Sequence, residues 1–291
     1  MSTATAEASA KSGSIEAVLK HVVEISTLPQ IALQVMEVAK DPDAGAADLK
    51  RVVEGDPSLS ARVLRMVNSA AYGMRTQVTN LHQAISYLGF NQVRNLAMTA
   101  SVSEIFKGNQ TIGTYQRAGL WKHLVSVGVA ARFVAVRRGL KGFEDAFLAG
   151  LLHDIGIILL DQHVHDQFRA VIQSLRDGTP LCDTEQEILG FNHAMLGARI
   201  AETWNFPPVT RAAIRYHHMS QNHRGDGAEL VHCVEVANVI CTLKGISSVG
   251  MKLTKPPIAA LQALNFSKDD VLVLARDLDN ELKQNEGLLE L

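Results

Sequence analysis

Five of the eleven histidines stand in helical, half-apolar settings: His123, His153, His193, His217 and His218. His153 is followed by Asp154, and the pair lies inside an almost wholly apolar run, Phe147 to Leu160. A neutral polar group buried without a partner costs roughly 2–7 kcal/mol, and a charge more. The pair therefore calls for a metal, other polar side chains or ordered water. A second His-Asp, His165-Asp166, belongs to the polar run Asp161 to Gln167 and reads as a solvated helix end or loop. His163 and His223 also sit in polar stretches, while His21, His82 and His232 are single and ambiguous. One histidine beside an apolar face is more often a satisfied core residue than a ligand, so the joint pattern matters more. One imidazole comes from one helix, a His-Asp pair from the next, and a His-His pair closes a third. Divalent Fe, Mn and Zn accept mixed imidazole and carboxylate ligands, and such a cation can activate water for attack on phosphorus.

The elements that must position these groups are read from helical periodicity. Residues 15–106 carry apolar residues at helical spacing with breaks at Pro29, Asp41 to Asp43, Gly55-Asp56-Pro57 and Ala71-Tyr72-Gly73. No stretch there alternates with period two, so the region is expected to be a helical bundle. Asp56 is an expected N-cap with Pro57 at the first helical position. Lys107 to Thr114, rich in Gly and polar residues, is the expected flexible link. A long helix over about Tyr115 to Arg138 should carry His123, and one central helix over Asp145 to Leu160 should carry His153 and Asp154. Asn192 is expected to cap a helix from His193 to Trp204, and Val209 to His217 and Glu229 to Leu243 follow. Ser267 is expected to cap the amphipathic helix near the C-terminus. The expected organisation is thus a tail at 1–14, a bundle at 15–106, a second domain at 115–245 and closing helices at 256–291.

Bulk properties narrow the function classes. The chain of 291 residues is 47% hydrophobic, 5% aromatic and 20% charged, which supports a core of Ala, Val, Leu and Ile. A net charge of −2 gives no general attraction to nucleic acid or anionic lipid. Arg62, Arg65, Arg75 and Arg94 are scattered rather than aligned as a phosphate-tracking face, so nucleic acid is not an expected partner. No uncharged apolar run reaches ~18 residues, so no membrane span is expected. Three cysteines without a C-x-x-C read as reduced thiols, which implies the cytoplasm.

The chain resembles the HD superfamily of helical metal-dependent phosphohydrolases and, within it, the HDOD branch. The resemblance rests on Leu28-Pro29, Asp56 to Leu59, Asn68 to Gly73, Gln83 to Gly89, Leu120 to His123, Gly150 to Gly156, Glu187 to Gly197, Trp204 to Pro207 and Tyr216-His217-His218. It implies an all-α fold, with an N-terminal bundle packed on an HD-like domain, and a role in bacterial signal transduction. Catalytic HD enzymes use a His, a His-Asp pair and a later Asp. This chain matches the first three at His123, His153 and Asp154, but has Asn238 at the fourth position, with Glu235 three residues earlier on the same face. His193, His217 and His218 match extra histidines of the two-metal HD-GYP relatives, whose Gly-Tyr-Pro signature is absent here. The implied metal set is His123, His153, Asp154, His193, His217, His218 and Asn238, with Fe, Mn or Zn as the cation. The leading expectation is a non-enzymatic regulatory module that binds other signalling proteins, with a metal or nucleotide in the pocket under His153 and Asp154. The alternative is a metal-dependent phosphodiesterase or phosphohydrolase acting on nucleotides or cyclic dinucleotides. A third reading leaves the histidines satisfying one another by hydrogen bonds, with nothing bound. The junction of bundle and HD-like domain, near Asn68 to Gly73, is the expected partner surface.

Overall fold

The computed structural model describes residues 15–16, 18–20, 22, 28–41, 43–69, 72–176, 178–250 and 255–289. The expected tail at 1–14 lies outside the described residues, as do His21, Ala70 and Ala71. The chain is all-α. In the first third, α1 (Gln30–Lys40), α2 (Ala46–Glu54), α3 (Pro57–Val67), α4 (Leu81–Leu88) and α5 (Phe90–Val102) form the bundle. Asp56 caps α3 as expected, accepting from the backbone N–H groups of Ser58 and Leu59. Among the described residues the only strands are β1 (Thr111–Ile112) and β2 (Tyr115–Gln116), a minimal hairpin with Ile112 opposite Tyr115. It turns through Gly113 at a φ of 54°, which glycine adopts without strain. The helices α6 (Arg117–Arg137), α7 (Phe143–Leu152), α8 (Ile155–His163), α9 (His165–Ser174), α10 (Leu181–Leu189), α11 (His193–Thr203), α12 (Pro208–Tyr216) and α13 (Ala228–Leu243) follow. α14 (Ile258–Ala263) and α15 (Lys268–Gln284) close the chain.

Three sequence expectations need correction. The central helix is two helices, α7 and α8, and His153-Asp154 is the junction between them. An uninterrupted apolar run gives no sign of that break. Lys107 to Thr114 is not a free link. Arg117 donates its backbone N–H to Gln110 O and its guanidinium to Lys107 O, and the Thr114 hydroxyl donates to Val249 O at 2.7 Å. Nor is the polar run after Leu160 wholly solvated. Asp161 is buried, accepting from the Tyr115 hydroxyl at 2.9 Å and from Arg117 Nε at 2.8 Å.

α6 is central. It is long and apolar enough to cross a bilayer, yet 78% of that window is buried inside the protein. It packs on α7 and α13, and α8 packs on α11. One apolar cluster runs from the bundle through Leu120, Leu152, Phe168 and Leu196 to Ile214, so the core continues across residues 107–114. A second cluster joins α6, α7 and α13 with Leu264, Leu274 and Leu278 of the closing segment.

Glycine sets two of these crossings. A Cβ at Gly150 of α7 would lie 2.8 Å from Val127 O and 2.9 Å from Gly128 Cα of α6. A Cβ at Gly156 in the first turn of α8 would lie 2.0 Å from His193 O. Missing side chains thus let α6 meet α7, and α8 meet the start of α11, at backbone contact distance.

The turn after α3 is locked. Asn68 exchanges two hydrogen bonds with Val78, its Nδ2 donating to Val78 O and its Oδ1 accepting from Val78 N, both at 2.8 Å. Gly287 of the closing segment fits against Ser69, where a Cβ would stand 3.1 Å from Ser69 Cβ. Ser69 thus lies against the protein's own closing segment.

Candidate metal centre

α6 supplies His123 from its second turn, the α7–α8 junction supplies His153 and Asp154, and α11 opens with His193. The end of α12 supplies His217 and then His218. The structure brings all six together, and all but His218 are buried.

The cluster has two halves that share one carboxylate. Asp154 Oδ2 lies 3.5 Å from His123 Nε2 and 3.4 Å from His153 Nε2, which are 3.3 Å from each other. Asp154 Oδ1 lies 3.2 Å from His193 Nε2 and 3.0 Å from His217 Nε2. His193 Nε2 is in turn 3.3 Å from His217 Nε2 and 3.0 Å from His218 Nε2.

The outer ring nitrogens fix which atoms face inward. His123 Nδ1 donates to Ile246 O at 2.8 Å, His153 Nδ1 to Gly150 O at 2.7 Å, and His217 Nδ1 to Ile214 O at 2.9 Å. His193 Nδ1 donates to Glu185 Oε2 at 2.7 Å. In a neutral ring whose Nδ1 donates, Nε2 is a bare acceptor. Between His123 and His153 two such atoms face each other across 3.3 Å, and Asp154 Oδ1 is a buried oxygen that accepts no hydrogen bond. The third reading, histidines satisfying one another by hydrogen bonds, leaves the facing Nε2 atoms of His123 and His153 without a hydrogen between them when both rings are neutral.

Electrostatics follow from burial. Burial pushes the His123 imidazolium down to about 4, with repulsion from His153 adding to it. Burial likewise lowers His217 to about 4, against the attraction of Asp154. Burial alone would raise the Asp154 carboxyl, but the facing imidazoles, His153 first, outweigh it and hold the group well below the usual carboxylate range. His193 runs the other way. Burial lowers it, and the Glu185 carboxylate more than offsets that and raises it well above the ordinary value.

The remaining site expectations divide. Asn238 is buried and lines the same cavity as His193 and His217, but the side-chain hydrogen bond at its Oδ1 comes from Thr242, at 3.4 Å. Glu235 also lines that cavity. Its carboxylate accepts from the Ser220 backbone N–H at 3.0 Å and from the Ser220 hydroxyl, and burial raises its carboxyl. Glu235 therefore braces the turn after His218, and the groupings of possible metal ligands among the described residues do not include it.

Sequence reasoning missed Glu185, which is fully buried, accepts from both the backbone N–H and Nδ1 of His193, and forms with Cys182 a third grouping around that ring. The available signal was Cys182 and Glu185 three apart on one face of α10.

The cavity has a volume of about 730 Å³. Asp154, His193, His217 and His218 form part of its lining, with Arg215 and Lys255 among its wall residues. His123 and His153 do not line it.

A helical fold with a His, His-Asp and His-His cluster at the meeting of five helices defines a protein of the HD kind. The HDOD domain family matches residues 25–220, more than half of the chain, and the chain belongs to that family. An uncharacterised protein of Treponema pallidum is 25% identical over 223 residues, covering 75% of this chain and 42% of the relative. The chain thus spans less than half the length of that curated relative. Among solved structures, an HDOD domain protein of unknown function from Geobacter sulfurreducens superposes with a TM-score of 0.78 at 24% identity, over 95% of this chain and 98% of that one. A protein from Marinobacter aquaeolei VT8, provisionally named for signal transduction, gives a TM-score of 0.76 at 24% identity, over 97% of this chain and 64% of that one. At these identities the two structures establish the fold alone.

Proposed function

We propose that this chain is a regulatory HDOD module of bacterial signal transduction, built around a divalent metal centre and acting by binding other proteins rather than by turnover. The observation that carries the reading is the set of inward-facing Nε2 atoms around a carboxylate with no donor. Two ligand atoms, each ~2.0–2.1 Å from one tetrahedral cation, stand ~3.3 Å apart. The contacts within the two halves run from 3.0 to 3.5 Å, so the residues fit such a cation. His123, His153 and Asp154 would hold one, and Asp154, His193, His217 and His218 another; Fe, Mn and Zn suit this donor set. When bound, a divalent cation there supplies Lewis acidity toward an oxygen of a ligand in the cavity.

The chain's own residues orient that centre. Ile246, Gly150 and Ile214 carbonyls fix the tautomers, and Glu185 fixes the His193 ring, as carboxylates and carbonyls behind metal-bound imidazoles do. Asn238 supports the regulatory reading, because a neutral amide lines the cavity where HD enzymes carry a carboxylate. The shared carboxylate and the cavity over one half favour a second reading, a metal-dependent phosphohydrolase with a nucleotide or cyclic dinucleotide as substrate.

The test is elemental analysis of protein purified without chelator and again after reconstitution. Fe, Mn or Zn is expected in wild type and lost in Asp154→Ala. Absence of metal in both preparations refutes the metal centre. Hydrolysis of a cyclic dinucleotide or an aryl phosphodiester with added Mn or Fe, abolished in Asp154→Ala, would replace the regulatory reading with the second.

A further inference from the structure

The two halves of the cluster differ in their access to solvent. His123 and His153 are both fully buried, closed in by Ile246, Gly150 and the apolar neighbours of α6 and α7. The cavity ends on the other half, at Asp154, His193, His217 and the exposed His218. From these observations we infer that the halves are unequal: the His193–His217–His218 half exchanges its cation and accepts an anionic oxygen ligand through the cavity, whereas the His123–His153 half holds its cation sealed. The inference rests on the proposed metal centre and assigns each half its task.

The ligand's chemistry follows from charge. Two divalent cations would be met inside the cluster by the Asp154 carboxylate and, behind His193, by Glu185. The amide of Asn238 adds no charge. On the cavity wall Arg215 and Lys255 are cationic and Asp183 anionic, while Glu235 is tied to Ser220. The loaded site is therefore short of negative charge on the cavity side, and an oxyanion from solvent corrects that. Ser247, Ser248 and Asn192 in the same wall offer uncharged hydrogen-bonding groups, and the volume admits a small organic anion. Phosphate and carboxylate share this chemistry, so both serve as probes.

The experiment loads the full chain with Mn²⁺ and follows metal loss to excess EDTA, with total metal measured first. Two equivalents are expected to leave in two phases. The slow phase should lag the fast one by at least about ten-fold, which an opening cost of only ~1.4 kcal/mol produces. His218→Ala, a change at an exposed residue, should remove the fast equivalent and keep the slow one. Inorganic phosphate should slow the fast phase alone, and acetate added at the same concentration shows whether the site prefers phosphate or carboxylate. Asn238→Asp, which supplies the missing charge, should weaken the phosphate effect. Two equivalents leaving in one phase, or a fast phase indifferent to both anions, overturns this inference and leaves the metal centre standing. No metal uptake overturns both.

Discussion

Gly156→Ala tests how the fold builds the site. The new Cβ would stand 2.0 Å from His193 O, against the 3.0 Å that real Cβ contacts keep. The obstacle is backbone on both sides, in the first turns of α8 and α11, so no side chain can swing away. The helices must part by at least 1.0 Å, the difference between those two distances. Overpacking against rigid backbone costs about 3 kcal/mol or more. For a chain of this size that lowers the melting temperature by ~6–12 °C. The same displacement carries His193 away from Asp154 Oδ1, now 3.2 Å from it, so Mn²⁺ affinity at that half should fall by about ten-fold or more. Gly119→Ala is the control: its Cβ meets nothing nearer than Gln116 Cβ at 3.6 Å, and within α6 it should stabilise by about 0.5–1 kcal/mol. Thermal melts and Mn²⁺ titration of both variants decide the matter. If Gly156→Ala melts within about 2 °C of wild type and binds Mn²⁺ unchanged, the close crossing does not position His193 and the reasoning fails.

Asp161→Ala should cost about 3–5 kcal/mol in urea unfolding, because it strands the largely buried Arg117 and leaves the Tyr115 hydroxyl without its acceptor; an unchanged urea midpoint would refute the burial argument. Glu185→Gln keeps an acceptor but loses the charge behind His193, and should weaken Mn²⁺ binding by about ten-fold with little change in melting temperature. The pH dependence of the metal-free protein follows from His123 and His217, both lowered from 6.5 to about 4. Their contribution to stability is fully present above 6.5 and is lost as pH falls toward 4, because the unfolded chain takes up protons that the folded one refuses. Melts across that range should show this decline, and His217→Asn should flatten it.

The site was more legible in sequence than the devices that assemble it. His123, His153, Asp154, His193, His217 and His218 could be named because imidazoles and a carboxylate in apolar helical runs are out of place unless partnered. The helices were legible wherever proline, glycine or a capping residue bounded them, as at Asp56 and Ser267, whose side chains cap as expected. What stayed hidden depends on partners far along the chain. The break at His153-Asp154 has no proline or glycine of its own and becomes intelligible only with His193 O set against Gly156. Asp161 looked solvated because Tyr115 and Arg117, which bury it, lie more than forty positions away. Lys107 to Thr114 looked flexible by composition, since its tie to Val249 spans 135 positions. Glu185 had only Cys182, three positions earlier on one face of α10, to mark it, and the sequence does not tie that pair to His193.

The bond from His123 Nδ1 to Ile246 O spans 123 positions. During synthesis at ~5–20 residues per second, the imidazole waits roughly 6–25 s for its acceptor to be made. Over the same interval α6, apolar enough to pass for a membrane helix, lacks α13, one of the helices that cover it. A nascent chain halted before Ile246 already contains all six clustered side chains, with His123 free to take either tautomer. The order of the chain makes the last-arriving loop the step that finishes the centre, so the ribosome's own pace sets how long the apolar middle of this protein stands open to chaperones.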